Sequence, residues 1–306
     1  MNFIVKTYSI VSYFDGTRLE GVCVAPEEPY AIVLMAHGMA EHKERYLPFM
    51  EYLAERGFAC FLHDHRGHGK SAASTDNLGY FGKNGAEGLV KDLAQAAEYA
   101  TGLFANIPLY LFGHSMGSLA VRCYLKDFEH TINGLIVCGT PAKNPIAGPG
   151  IALCRMIAAF KGEKHRSTLL QNISTGPFDK PFADEGIKNA WLSTDKEVVK
   201  AYNNDPLCGV AFTVNGYQCL MELMRDAYRL PRAKNPRLPV HFISGEKDPC
   251  HAGRFMESVE DMKKQGWGEV THELYPNMRH EILNEIGKEQ VWEDIYCLLM
   301  GWLKKR

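Results

Sequence analysis

Gly113-His114-Ser115-Met116-Gly117 sets a serine midway between two glycines, after a short apolar run and before an amphipathic one. A strand that turns sharply into a helix at such a point strains its central residue and lifts the hydroxyl clear of the sheet. Glycines two positions either side let neighbouring elements approach. A serine hydroxyl is a weak nucleophile. It needs an imidazole to take its proton and a carboxylate to hold that imidazole.

On a mainly parallel sheet those partners come from loops at the C-terminal ends of later strands, acid first and histidine last. The run Val240–Ser244 is followed by Gly245-Glu246-Lys247-Asp248-Pro249, and the last apolar run by Asn277-Met278-Arg279-His280. Asp248 and His280 are therefore the expected acid and base. Glu246 competes for the first role, although it sits nearer the strand end. His251 and His272 compete for the second, but one is three residues from Asp248 and the other lies within the last strand. The earlier strand ending in Gly139-Thr140-Pro141 offers no carboxylate.

Stabilising a tetrahedral intermediate takes two backbone N–H donors. Met116, next after the serine, supplies one. The loop His37-Gly38-Met39-Ala40-Glu41-His42, after the strand Ala31–Ala36, supplies the other from Met39, with Gly38 allowing the tight turn. The string His63-Asp64-His65-Arg66-Gly67-His68 approaches an HxHxDH zinc pattern but fails at Gly67, where an aspartate ligand belongs. The alternative is a polar, glycine-rich loop at Asp64–Ser71 that shapes the floor of the serine site. No metal and no organic cofactor are expected.

Short apolar runs alternating with amphipathic stretches predict a mostly parallel α/β sheet. A hairpin is expected at Val5–Tyr13 and Leu19–Ala25, split by Asp15-Gly16. Strands are expected at Ala31–Ala36, Phe58–His63, Pro108–Phe112, Asn133–Cys138, Val240–Ser244 and Val270–Tyr275. Helices are expected at Glu44–Arg56, Ala86–Ala105, Met116–Phe128, Phe255–Lys264 and Lys288–Lys304. From Asn144 to Tyr228 the rhythm breaks into helical pieces without a buried strand. The division expected is a core at 1–143 and 229–306 with a helical cap inserted at 144–228. Insertions of this kind usually cover a site.

Thirty-four Lys and Arg against 36 Asp and Glu leave a charge of −2 over 306 residues, which argues against a nucleic-acid binder. No apolar run reaches the eighteen or so residues of a membrane-spanning helix. The N-terminus lacks a secretory pattern, and the nine cysteines are scattered without a CxxC pair. A cytoplasmic protein with free thiols is expected.

Taken together, HGMAEH (37–42), DHRGHGKS (64–71), GHSMGS (113–118), SGEKDP (244–249) and RHEILNE (279–285) resemble the monoacylglycerol lipase and lysophospholipase branch of the serine α/β-hydrolases. The resemblance implies an α/β-hydrolase fold and cleavage of lipid esters through an acyl-enzyme. It also implies Ser115 as nucleophile, Asp248 as acid, His280 as base, and Met39 and Met116 as oxyanion donors. One departure is Ser118, where members often carry a second glycine; another is the insertion, where likeness is patchy apart from Asn204-Asp205-Pro206-Leu207. A small-ester carboxylesterase or an aminopeptidase on the same scaffold is the alternative. The aminopeptidase would need an inward carboxylate among Asp179, Asp184, Glu185 and Asp205.

The insertion holds two apolar stretches, Ile146–Phe160 and a helical series from Phe212 through Tyr217, Leu220, Met221 and Met224. Packing of the cap on the core accounts for them, and so does an acyl groove with flexible methionines. On the second reading Met156, Phe160 and Phe212 touch the acyl chain, while His37, Gly38 and His114 flank the reacting carbonyl. The same faces suit at most a transient contact with a membrane surface.

Overall fold

The computed structural model describes residues 1–305. Strands β1 (Phe3–Val11) and β2 (Arg18–Pro26) form the antiparallel hairpin, with Phe3 opposite Pro26 and Val11 opposite Arg18. Next come β3 (Ala31–Ala36), α1 (Leu47–Ala54), β4 (Phe58–His63), α2 (Gly85–Leu103), β5 (Leu109–His114), α3 (Met116–Phe128) and β6 (Gly134–Cys138). Every residue of β3, β4, β5 and β6 is buried, as continuous apolar strands covered on both faces must be.

The long connection that follows holds α4 (Ala147–Lys161), α5 (Thr168–Ser174), α6 (Lys196–Asn204) and α7 (Val214–Ala227), with no strand. The chain closes with β7 (Val240–Gly245), α8 (Phe255–Lys264), β8 (Val270–Tyr275) and α9 (Lys288–Lys304). One expected element differs in kind. The helix foreseen at Glu44–Arg56 opens as a tight 3-10 turn at Lys43–Tyr46, and α1 begins beyond it with Pro48 in its first turn. A proline is tolerated there because its missing N–H would have no partner anyway.

The eight strands lie in the order β1-β2-β4-β3-β5-β6-β7-β8, antiparallel only at the β1–β2 and β2–β4 contacts. Leu89, Leu93, Leu119 and Val259 pack one face of the sheet; Phe49, Leu53, Trp292 and Ile295 pack the other. This is the α/β-hydrolase fold. Between β3 and β5 the strand order reverses, so the loops leaving their C-terminal ends diverge and open a crevice. Both the HGMAEH loop and the GHSMG turn leave the sheet at that point. Among the described residues no helix is long and apolar enough to cross a membrane.

Candidate active site

Ser115 stands at φ 55°, ψ −118°, a conformation that an L-residue holds only under constraint. The constraint is backbone pairing. Ser115 N–H donates to the Cys138 carbonyl (2.9 Å), and the Ser115 carbonyl accepts from Ser118 N–H (2.9 Å) and from the Ser118 hydroxyl (2.5 Å). Ser118, one of the family departures, is thus fully buried and bound to the turn itself. A Cβ on Gly117 would lie 2.2 Å from the Ala36 carbonyl oxygen, and one on Gly113 would lie 2.5 Å from that of Gly117. Both glycines are required for α3 to rise this close to β3.

The loops carrying Asp248 and His280 meet in the same way. A Cβ on Gly245 would lie 2.1 Å from the Arg279 carbonyl oxygen, and Lys247 N–H donates to the Met278 carbonyl (2.9 Å). His280 Nδ1 donates to Asp248 Oδ2 at 2.9 Å, with both side chains buried. The Asp248 carboxylate also accepts from the Ser244 hydroxyl (2.9 Å) and from Cys250 N–H (2.8 Å). Burial alone would raise its pKa. The His280 charge and hydrogen bond outweigh burial and hold the carboxyl below its ordinary value.

The rivals stand elsewhere. Glu246 accepts from Asn277 N–H at the exposed surface, the His251 ring is taken up by the Gly245 carbonyl and Gly253 N–H, and His272 is exposed on β8. Ser115 and His280 line one cavity, where the His280 ring lies 4.6 Å from that of His114 and 4.8 Å from that of Trp191. Cys250 Sγ is 3.9 Å from His280 Nε2.

Gly38 crowds Ser115. A Cβ there would lie 2.6 Å from Glu41 Oε1 and 3.1 Å from Ser115 Cβ. Met39 follows it on the cavity wall, and its N–H has no acceptor among the described residues. Met116 opens α3, where helical N–H groups have no intrahelical acceptor. His114 lines the same cavity as Ser115, with both ring nitrogens engaged. Its Nε2 donates to the His280 carbonyl (3.1 Å), and its Nδ1 meets Tyr46 Oη (3.1 Å) and Glu41 Oε1 (3.3 Å). Burial opposes its charge, but the bond and charge of Glu41 outweigh burial and raise its pKa.

His37 lies beneath the site, fully buried, donating from Nδ1 to the Gly38 carbonyl (2.7 Å) and accepting from His65 N–H (2.9 Å). It is a floor residue and lines neither cavity at Ser115. The His63, His65 and His68 rings pack beside it, with Asp64 between them held by Lys43 and by Lys70 N–H. Asp64–Ser71 is thus a largely buried polar loop packed against His37, and none of its residues lines either cavity at Ser115.

Burial keeps all four of these imidazoles below their ordinary pKa, His68 at about 4. The unfolded chain takes up protons near pH 6.5 that the folded one refuses, so folding stability falls with acid from about pH 6.5 toward 4. Each imidazole contributes at most about 1.4 kcal/mol per pH unit. His42 works the other way. Burial opposes its charge, but bonds to Cys208, Glu44 and Asp205 lift it to about 11, a contribution complete below pH 6.5 and lost on the alkaline side. Thermal unfolding followed against pH should show the midpoint dropping through this acid window. A flat midpoint would mean the rings are protonated in place.

Two cavities open at Ser115. One, of about 150 Å³, is mixed, with Glu41, Asp179, Lys188, Asn189 and Glu281 on its walls beside Met39, Trp191 and Leu192. The other, of about 230 Å³, is apolar, lined by Met39, Met116, Phe178, Trp191, Leu220, Met221 and Met224 among others. Of the candidate groove residues, Leu220, Met221 and Met224 line the apolar cavity. Met156 and Phe160 do not: they are 54% and 86% exposed, because α4 buries Ala147, Ile151 and Cys154 on its opposite side. Phe212 is buried in a wedge of Phe81 and His68 rings and lines neither cavity.

Sequence reasoning passed over the network behind the site. Arg45 bridges Glu41 (2.7 Å) to Glu281, which it grips with both terminal nitrogens (2.6 and 2.5 Å). Its sequence traces are Glu41 in HGMAEH and Glu281 in RHEILNE, with nothing to join them.

The serine aminopeptidase S33 family (Hydrolase_4) matches residues 27–287. The chain is 27% identical over 271 residues to the monoglyceride lipase of Rattus norvegicus, covering 85% of this chain and 82% of that one. To the monoglyceride lipase homolog of Monkeypox virus it is 30% identical over 281 residues, covering 90% and 91%. Among solved structures it is similar to a highly thermostable carboxyl esterase from Bacillus coagulans, with a TM-score of 0.88 and 25% identity over 98% of this chain and 99% of that one. With its matched span taking in Ser115, Asp248 and His280, the chain belongs to the serine aminopeptidase S33 family, as a monoglyceride lipase-like serine hydrolase of the α/β-hydrolase superfamily.

Proposed function

We propose that this enzyme cleaves monoacylglycerol-type esters through a Ser115-His280-Asp248 triad. Ser115 attacks the ester carbonyl as His280 Nε2 takes its proton. Asp248 fixes the tautomer that leaves Nε2 free to accept, and steadies the imidazolium. Met39 and Met116 N–H stabilise the oxyanion. His280 returns the proton to the leaving alcohol, then activates the water that frees the acid from Ser115. Residues 144–228 act as the cap over a core of 1–143 and 229–306.

The observation that carries this reading is the pair of unlike cavities meeting at one serine. An ester with a polar alcohol and an apolar acyl group fits that pair. The apolar branch lies below the roughly 300–1,000 Å³ usual for ligand pockets, which favours acyl groups of short to medium length. Three carboxylates and one lysine on the mixed branch favour a neutral glycerol over a phosphate head group.

An aminopeptidase would keep an inward carboxylate open for the substrate's ammonium, and none of the four candidates is both inward and unpaired. Asp179 accepts from Asn189 N–H, Glu185 pairs with Arg279, Asp205 with His42, and Asp184 is exposed. Exposed Met156 and Phe160 give the cap an apolar rim for brief contact with lipid.

Matched acyl chains on glycerol, on lysophosphatidylcholine and on aminoacyl nitroanilides test the reading. The glycerol ester should exceed both others at least about tenfold in kcat/KM, near the discrimination one misplaced group gives. Faster nitroanilide cleavage would contradict it.

A further inference from the structure

The Glu41-His42 pair takes no part in the proton transfers above, yet Glu41 is almost wholly buried. Its carboxylate lies behind the loop that carries Met39. Oε1 accepts from Gly38 N–H (2.6 Å) and the Tyr46 hydroxyl (2.9 Å), while Oε2 accepts from Arg45 (2.7 Å).

On the far side of Met39 the chain turns at Ala40, a non-glycine residue at φ 53°. That left-handed conformation persists only where neighbours impose it. Here the Ala40 carbonyl accepts two bonds from the β6–β7 connection, one from the Tyr202 hydroxyl (3.0 Å) and one from Gly209 N–H (2.8 Å). Tyr202 is buried, with the Arg45 guanidinium 4.9 Å from its ring. His42 repeats the tie through Asp205 at 2.8 Å. Met39, between the two anchored residues, has the free N–H.

We propose that Glu41 and Tyr202 are positioning residues that grip the oxyanion loop from its two sides, holding Met39 N–H aimed before substrate arrives. This rests on the reading of Ser115 as nucleophile and Met39 as donor. Glu41 anchors the entry of the loop at the Gly38 amide, and Tyr202 anchors its exit at the Ala40 carbonyl. Rotation of the intervening peptides, which would turn the donor away, is opposed at both ends. Donors fixed in advance stabilise the transition state without reorganising, so loosening them lowers kcat and leaves KM in place.

Tyr202→Phe removes one hydroxyl and keeps the Gly209 bond, so kcat should fall about tenfold. Glu41→Ala removes the whole anchor and should lower kcat about 100-fold, near the loss of one oxyanion donor. Glu41→Gln, whose amide oxygen still accepts from Gly38, should recover part of that loss. The losses should be alike for p-nitrophenyl acetate and a monoacylglycerol, with KM unchanged. Affinity for a boronic acid that forms a tetrahedral adduct should weaken in parallel.

Tyr202→Phe decides the matter if Glu41→Ala fails to fold. Unchanged kcat in Tyr202→Phe would overturn the grip, as would a loss confined to KM for the glycerol ester, which would make the pair alcohol contacts. Fluorophosphonate labelling of the wild type, run alongside, separates this from the underlying reading: absence of an adduct on Ser115 would remove the reading itself.

Discussion

Ser115→Ala loses ester turnover by about 10⁵- to 10⁶-fold while the protein stays folded. The hydroxyl is the proposed nucleophile, and nothing that builds the turn depends on it. The bond to the Cys138 carbonyl and those from Ser118 all use Ser115 backbone atoms. Alanine therefore inherits the same φ of 55° and the same strain, and thermal stability should stay close to wild type. Ser115→Gly, equally inactive, should be more stable, because glycine relieves a conformation that costs about 1–3 kcal/mol. Steady-state kinetics and thermal unfolding of the two variants check both halves. Turnover of Ser115→Ala within tenfold of wild type would refute the nucleophile.

The second large effect is expected at Asp248→Asn. Asp248 Oδ1 accepts from Cys250 N–H, a fixed backbone donor, so the asparagine oxygen is drawn to that position. The amide nitrogen then occupies the place of Oδ2, facing the Ser244 hydroxyl and His280 Nδ1. Ser244 can turn to accept. His280 can accept only by moving its proton to Nε2, the nitrogen that must receive the proton of Ser115. The site is left intact in shape and wrong in tautomer, with a loss in kcat of about 10⁴ at neutral pH and little change in KM. Kinetics beside thermal unfolding would show it. A loss below tenfold would mean that Asp248 does not set the tautomer.

Much of the frame was legible in the sequence because its causes are local. Apolar runs of five or six residues with no polar interruption, such as Ala31–Ala36 and Phe58–Leu62, read as strands buried on both faces when amphipathic stretches alternate with them. Asp248 and His280 are 32 residues apart, yet each follows the end of its own strand, and β7 pairs with β8, so their meeting follows from topology. The gripping contacts were not legible. Tyr202 meets Ala40 across 162 positions and Arg45 meets Glu281 across 236, and no local pattern in either segment specifies the partner.

The apolar cavity was half legible for a different reason. An apolar stretch such as Ile146–Phe160 does not declare which side of its helix is buried. α4 buries Ala147, Ile151 and Cys154, which leaves Met156 and Phe160 facing outward. Sequence also gave no warning that Phe212 would be spent filling the gap between His68 and Phe81.

The measurement closest to the central claim is fluorophosphonate labelling of the purified protein, wild type beside Ser115→Ala, read by intact mass and peptide mapping. An activated serine should give a single adduct on the wild type, mapped to Ser115, and none on the variant. An adduct that persists on Ser115→Ala, or a wild type that takes none, would contradict the account.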